Sequence, residues 1–203
     1  MDRLTTPLVE WAVASRPLEP GVSGDAYIVH PLPSGALFAV VDGAGHGPAA
    51  ATSANEAIRA LAADAAHPLT ALAKCHERLR ASRGVVLMLA WVDSQRDTIA
   101  WVGVGTVQGM LLRGDPALRP REQMLIGRVG VVGRQLPPLQ PRTLAIAPGD
   151  VLVLATDGIH AAFMNPGPRS EIPQRLADDI MARHWSGVDD GLVLVVRYQG
   201  ASA

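Results

Sequence analysis

The sequence predicts an α+β fold, in which a mainly antiparallel β-sandwich carries helices on its outer faces. Apolar runs of strand length, bounded by Gly, Pro and Asp, recur along the whole 203-residue chain. Three of these runs come first, two helical stretches follow, and a long series of runs then precedes one more helix and a last strand. This order lacks the regular strand–helix alternation of a parallel α/β sheet and suits an antiparallel sandwich. The length fits one compact domain, which we predict over residues 1–203.

The strands are predicted where apolar residues continue for several positions between turn residues. The runs LFAVV at 37–41 and VLVLA at 151–155 are apolar at every position, so these strands require cover on both faces. The region 113–141 is rich in Pro, Gly and Arg, and we predict an irregular surface connection there around a short strand at Val129–Val132. The other predicted strands are Val9–Ser15, Ala26–Pro31, Leu37–Val41, Val85–Val92, Thr98–Gly103, Val107–Leu112, Thr143–Ile146, Val151–Ala155 and Leu192–Arg197.

Three helices are predicted from apolar residues that recur three or four positions apart. The first covers Pro48–Ala65, and Pro48 suits its first turn because the missing N–H would be unpaired there anyway. The second covers Leu69–Ala81 and the third Ile172–His184. The predicted inward stripe of the first helix is Ala51, Ala54, Ile58, Leu61 and Ala65, and its alanines predict a close approach to a sheet.

Composition and charge exclude several classes of function. The net charge of −1 argues against a broad basic surface for nucleic acid. No apolar stretch approaches the roughly 18 residues that span a bilayer, and the N-terminus lacks the apolar core of a signal peptide. We therefore predict a cytoplasmic protein with no membrane partner. The lone cysteine, Cys75, allows neither an intrachain disulfide nor a Cys-rich zinc site, and we predict that it is buried.

Acidic residues stand at the ends of several predicted strands. Asp42 and Asp157 each follow an apolar run and precede a glycine, while Asp25, Asp189 and Asp190 stand just before strands. Antiparallel pairing would bring these ends to one edge of the sheet. Clustered carboxylates repel one another without a cation, and oxygen ligands suit Mg²⁺ or Mn²⁺. An Asp-Gly pair after a strand is also an ordinary turn, so the residues alone leave a metal site and plain turns equally open.

The same acids belong to a set of motifs in a fixed order. The segment 41–47, VDGAGHG, resembles the DGxGHG motif of SpoIIE-type phosphatases, which belong to the metal-dependent protein phosphatase (PPM) family. Gly24-Asp25 resembles the family's early GD element, and the segment 148–159, PGDVLVLATDGI, resembles its GD-apolar-TDG segment. Asp189-Asp190 resembles the terminal acid pair. The resemblance covers essentially the whole chain and implies an α/β sandwich with helices outside.

The resemblance implies a centre that holds two divalent cations, Mn²⁺ or Mg²⁺. Asp42 would bridge both ions, and the Gly43 carbonyl would bind one of them. The other implied ligands are Asp157 and Asp189 on the first ion, Asp25 on the second, and Asp190 as the alternative to Asp189.

The resemblance also implies an activity and partners. A metal-activated water would hydrolyse phosphoserine or phosphothreonine in proteins, with no nucleophile from the chain. His46 would donate a proton to the leaving oxygen, or it would only shape the turn into the first helix. With its first strand at about residue 9, the chain resembles the short stressosome phosphatases of the family. Their substrates would be phosphorylated STAS-domain proteins of a stress-signalling complex.

The chain departs from the family pattern at two places. Gly191 and Leu192 follow the terminal acids, where the family usually has a threonine nearby, and the turn at 103–106 lacks a histidine. These differences leave open an alternative, which is a catalytically silent phosphatase-like module that binds the same partners.

Two other classes of protein are rejected. A hydrolase of the haloacid dehalogenase type requires a second aspartate two residues after the first, and Ala44 stands there. A nucleotide-binding loop requires the spacing GxGxxG before a helix, which Gly103, Gly105 and Gly109 do not provide.

Overall fold

Two five-stranded antiparallel sheets, packed face to face, form the centre of the molecule. The computed structural model describes residues 8–165 and 172–200. The strands are β1 (Val9–Arg16), β2 (Asp25–Leu32), β3 (Gly35–Gly43), β4 (Val85–Asp93), β5 (Thr98–Val104), β6 (Gln108–Leu112), β7 (Glu122–Leu125), β8 (Arg142–Ala145), β9 (Val151–Ala155) and β10 (Gly191–Tyr198). One sheet has the order β1-β10-β9-β6-β7 and the other the order β2-β3-β4-β5-β8. The predicted antiparallel sandwich is confirmed.

Helices cover the outer faces of both sheets. The helices are α1 (Pro48–Ala62), α2 (Pro68–Arg78) and α3 (Pro173–His184), and a 3-10 turn at Leu79–Ala81 continues α2. Helix α1 packs on β2 and β3, α2 packs beside α1, and α3 packs on β1 and β10. Among the described residues, no helix has the length and apolarity that a bilayer span requires.

The fully apolar strands have cover on both faces, as their sequences predict. In β3, Phe38 and Val40 pack in the core between the sheets, whereas Leu37, Ala39 and Val41 pack under the helices. Cys75 is fully buried in the same helix-facing core. Small residues of α1 allow its close approach to β3. Of the predicted stripe, Ala54, Leu61 and Ala65 are buried, whereas Ala51 and Ile58 are half-buried. The buried residues of α1 are Ala50, Ser53, Ala54, Ala57, Ala60 and Leu61.

The predicted strand at Val129–Val132 is wrong, and the strand of this region lies earlier, at β7. Val132 forms only an isolated bridge with Val85, and Val129 is 96% exposed. Gly130 and Gly133 interrupt this stretch, which explains why its valines do not continue a ladder. The segment Glu122–Leu125 pairs instead with β6 as an edge strand, where one face remains in water and a polar sequence is tolerated.

Two helix ends also differ from the prediction. The first helix ends at Ala62 rather than Ala65, because Asp64 and His67 form a turn in which the His67 N–H donates to the Asp64 carbonyl. The second ends at Arg78 and tightens into the 3-10 turn before β4. These changes leave the core unaltered, since Leu79 remains buried.

Candidate metal centre

Strand pairing and a threonine bring the acidic strand ends of both sheets together. The β2–β3 register places Asp25 directly opposite Asp42. The Thr156 hydroxyl, at the end of β9, donates a 2.8 Å hydrogen bond to Oδ2 of Asp25 in the other sheet. The same hydroxyl accepts a 2.9 Å hydrogen bond from the Leu192 N–H in β10. Thr156 therefore joins the two sheets at the edge where the acids lie.

A second threonine orients the third acid. Asp157 follows Thr156 and is exposed. Its Oδ2 accepts a 2.9 Å hydrogen bond from the Thr106 hydroxyl, in the turn between β5 and β6. Sequence reasoning missed both threonines as parts of the site. The glycine-flanked VGVGTV turn was the one available signal for Thr106.

The terminal acids have different environments. Asp190 is buried, and its two carboxylate oxygens accept backbone N–H bonds from Leu18 (2.8 Å) and Gly24 (2.7 Å). Asp189 is exposed, and one of its oxygens accepts the N–H of Asp190 at 2.8 Å. Asp190 thus fixes the connection between β1 and β2, while a carboxylate oxygen of Asp189 remains available at the acidic edge.

Trp185 holds the backbone of Asp189 by a hydrogen bond. The indole N–H donates a 2.9 Å hydrogen bond to the Asp189 carbonyl, and the Arg16 guanidinium lies 4.1 Å above the ring centroid. The next residue, Ser186, donates its N–H to the Gly158 carbonyl at 2.9 Å. The connection from α3 to β10 is therefore bonded to the loop that follows Asp157.

Two glycines are required at the acidic edge for close packing. A Cβ on Gly43 would collide with the Ala50 carbonyl at the start of α1. A Cβ on Gly158 would collide with the Asp190 carbonyl. Each Asp-Gly pair therefore does more than make a turn, because its glycine allows the acid loops to touch the neighbouring backbone.

Burial and mutual repulsion perturb the two paired acids. Burial raises the pKa of Asp42 to about 9, and the charges of Asp25, Asp157 and Asp189 add to the effect. Burial also raises the pKa of Asp25 to about 7, assisted by the charges of Asp190, Asp189 and Asp157 and opposed by the Thr156 hydrogen bond. Carboxylates with these pKa values retain protons near neutral pH unless a cation replaces the protons.

The donor chemistry of this edge suits a hard divalent cation. Carboxylates are the oxygen ligands that Mg²⁺ and Mn²⁺ prefer, and a neighbouring glycine offers a bare backbone carbonyl. In residues 8–165 and 172–200, no three His, Cys, Asp or Glu side chains are already arranged around one ion position. Hydrogen bonding with the Asp157 side chain also contributes to the raised pKa of Asp42. A cation at this edge would replace the proton of Asp42 and relieve the repulsion between the acids.

His46 lies on the rim of this edge, in the loop before α1. Its side chain is 71% exposed, and its Nδ1 lies 3.9 Å from Oε1 of Glu19, in the connection between β1 and β2. The described contacts therefore bring His46 to Glu19 and show no hydrogen bond from it to an aspartate.

The raised pKa values predict that the metal-free protein loses stability as the pH rises. In the folded chain Asp42 keeps its proton up to about pH 9, whereas in the unfolded chain it loses the proton near 3.8. The folded state thus binds more protons between these values, so its stability is greatest below about pH 4 for this group and declines toward pH 9. In EDTA, we expect the melting temperature to fall between pH 5 and pH 9 by about 10 °C or more relative to Asp42→Asn. Parallel profiles of melting temperature against pH in the two proteins would contradict Asp42 as the origin of the pH dependence.

The two-sheet fold and the family to which the sequence belongs define the class of this protein as a PPM-type protein serine/threonine phosphatase. Residues 33–198 match the SpoIIE family, described as Stage II sporulation protein E, and the chain belongs to that family. Phosphatases of the PPM class generally depend on Mg²⁺ or Mn²⁺. No curated protein matches the sequence.

Solved structures share the fold over nearly the whole chain. A structure from work on the bacterial stressosome is 26% identical, with a TM-score of 0.81, covering 93% of this chain and 99% of that one. RsbX in complex with magnesium is 15% identical, with a TM-score of 0.84 and coverages of 98% and 99%. The PP2C phosphatase domain of SpoIIE from Bacillus subtilis, solved with a fragment of its regulatory domain, is 22% identical, with a TM-score of 0.79 and coverages of 96% and 64%.

Proposed function

We propose that this phosphatase removes phosphate from phosphoserine and phosphothreonine of STAS-domain stress-signalling proteins, in the cytoplasm and with two divalent cations, Mn²⁺ or Mg²⁺. The observation that carries the proposal is the pair of buried acids, Asp25 and Asp42, set opposite each other with Asp157 and Asp189 close enough to raise their pKa values. Such a concentration of negative charge is stable at neutral pH only with protons or cations.

The chain offers an assignment of ligands that follows from these environments. Asp42 and the Gly43 carbonyl would hold the cations together with the carboxylates of Asp25, Asp157 and Asp189. We place Asp190 behind them as a supporting residue, because both of its oxygens are used by backbone N–H groups. The cations, when bound, would activate a water for in-line attack on phosphorus and would neutralise charge on the phosphate.

The remaining residues hold the acids rather than react. Thr156 and Thr106 fix one oxygen of Asp25 and one of Asp157, which limits the directions in which their other oxygens point. No protein nucleophile is required. Cys75 is unsuited to that role, since burial raises the pKa of its thiol to about 12 and keeps it protonated.

We propose that His46 donates a proton to the leaving seryl or threonyl oxygen. Its exposed ring at the rim is accessible to a protein substrate. We expect His46→Ala to lower kcat on a phosphoserine peptide by about 10²-fold. The same variant should hydrolyse p-nitrophenyl phosphate nearly normally, because nitrophenolate leaves without a proton. An equal loss on both substrates would contradict proton donation.

The proposed stress-signalling substrates are supported by the structural relatives. One similar structure comes from work on the bacterial stressosome, and another is RsbX bound to magnesium. The test is phosphate release from a phosphorylated STAS-domain protein of the same organism, with Asp42→Asn as the control. Release that needs Mn²⁺ and intact Asp42 supports the proposal. Release from nitrophenyl phosphate but from no STAS protein would retain the phosphatase and reject this substrate. The complete set of acids disfavours a silent binding module.

A further inference from the structure

We propose that Arg83 binds the substrate phosphate, as a cation supplied by the loop between α2 and β4. The inference rests on the proposed function, because the anion that it assigns to Arg83 is the phosphomonoester hydrolysed at the adjacent acidic edge. The ligand class is a phosphate dianion, either as the phosphorylated side chain or as the inorganic product.

The β3–β4 register places Arg83 beside the acid loop. Gly43 lies opposite Val85 at the end of the ladder. One step further, the Ala44 N–H donates a 3.0 Å hydrogen bond to the Gly84 carbonyl. The next pair in this antiparallel order is Gly45 and Arg83. The backbone thus places Arg83 opposite Gly45, three positions after Asp42.

The guanidinium lies against the bare backbone of Gly45. A Cβ built on Gly45 would lie 3.1 Å from Nη1 of Arg83, which is closer than side chains normally approach. Gly45 has a φ of 87°, which favours glycine in any case. The absence of a side chain at position 45 therefore leaves the guanidinium in contact with the loop that carries Asp42 and Gly43.

The base of the Arg83 side chain is firmly held. Gly84 has a φ of 85°, and a Cβ there would lie 2.7 Å from atoms of Val131 and Val132. Before it, the Ser82 hydroxyl donates to the Leu79 carbonyl at 2.8 Å and accepts the Gly84 N–H at 3.0 Å. A side chain that starts from a fixed backbone loses less conformational freedom when it binds an anion.

The charge of Arg83 has no acidic partner among the residues that the structure describes. The side chain is exposed. Arg80, three residues earlier in the 3-10 turn Leu79–Ala81, is also exposed but pairs with Glu77 at 3.0 Å. An arginine fork without a carboxylate, next to a phosphate-processing edge, matches two phosphate oxygens with two parallel N–H bonds.

The experiment compares Arg83→Ala and Arg83→Lys with Arg80→Ala, a control at the exposed, ion-paired arginine three residues earlier. Calorimetric titration with inorganic phosphate in excess Mg²⁺ gives the Kd, and p-nitrophenyl phosphate hydrolysis gives kcat and KM. We expect Arg83→Ala to raise the phosphate Kd and the KM by about 10-fold to 100-fold, with a smaller change in kcat. Arg83→Lys should recover part of the affinity, and Arg80→Ala should match the unmodified protein. The Mg²⁺ affinity and the melting temperature should be the same in all four proteins.

The outcomes separate this inference from the proposed function. If phosphate binds Arg83→Ala as tightly as Arg80→Ala, Arg83 is not a phosphate ligand, whatever the activity. If Arg83→Ala loses Mg²⁺ affinity together with phosphate, the side chain supports the metal loop and the inference is overturned. If the unmodified protein has no turnover, the proposed function fails, and the phosphate titration alone then decides the role of Arg83.

Discussion

Asp42→Asn is expected to lower kcat/KM for p-nitrophenyl phosphate by about 10³-fold or more. Asp42 lies at the end of β3 opposite Asp25, and its pKa is the most strongly raised of the acids at this edge. An amide removes the negative charge with which Asp42 would hold the cations, and metal-ion stabilisation of a phosphoryl transition state amounts to several kcal/mol. At about 1.4 kcal/mol for each tenfold change, this loss gives the expected factor.

The melting temperature distinguishes a lost ligand from a damaged fold. In EDTA, Asp42→Asn should be at least as stable as the unmodified protein, because the substitution removes one of the mutually repelling acids. The control is Asp179→Asn on α3, where the exposed carboxylate lies 3.8 Å from Arg183 and should affect neither property. Undiminished phosphatase activity in folded Asp42→Asn would contradict the proposal that Asp42 holds two cations.

The second large effect is a contrast between two adjacent aspartates. Asp190→Ala is expected to destabilise the protein by about 3 kcal/mol, since the buried N–H of Gly24 and the part-buried N–H of Leu18 both lose their acceptor. For a chain of this length, that change lowers the melting temperature by about 6–12 °C. Asp189→Ala should leave the melting temperature in EDTA nearly unchanged while it abolishes metal-dependent turnover.

Thermal melts in EDTA and Mn²⁺-dependent turnover, measured on both variants, decide the contrast. Loss of activity without loss of stability in Asp190→Ala, together with an active Asp189→Ala, would reverse the assignment. Conservative Asp190→Asn keeps one carbonyl acceptor and should recover part of the stability. Asp190→Asn thus tests whether the lost hydrogen bonds, rather than the lost charge, explain the destabilisation by Asp190→Ala.

The sequence predicted the acidic edge well because its signals are local. The run LFAVV before Asp42 and the run VLVLA before Thr156 require buried strands, and antiparallel strands have neighbouring ends. Burial of Cys75 also followed from its place on an apolar helix stripe. These predictions depend on side-chain polarity and period, which the sequence shows directly.

Other features depend on three-dimensional contacts that the sequence does not show. Asp189 and Asp190 have the same side chain, and only the fold reveals that Asp190 meets the N–H groups of Leu18 and Gly24. The link from Thr156 to Asp25 spans 131 positions. The strand β7 is short, polar and at an edge, so its pattern resembles that of a loop.

The most direct test of the metal-dependent phosphatase is p-nitrophenyl phosphate hydrolysis by the purified chain, measured with Mn²⁺ and again after EDTA. We predict turnover with Mn²⁺, its loss in EDTA and its return when Mn²⁺ is restored in excess. Turnover that persists in EDTA, or a folded protein that is inactive with both Mn²⁺ and Mg²⁺, would contradict the proposed centre at Asp25, Asp42, Asp157 and Asp189.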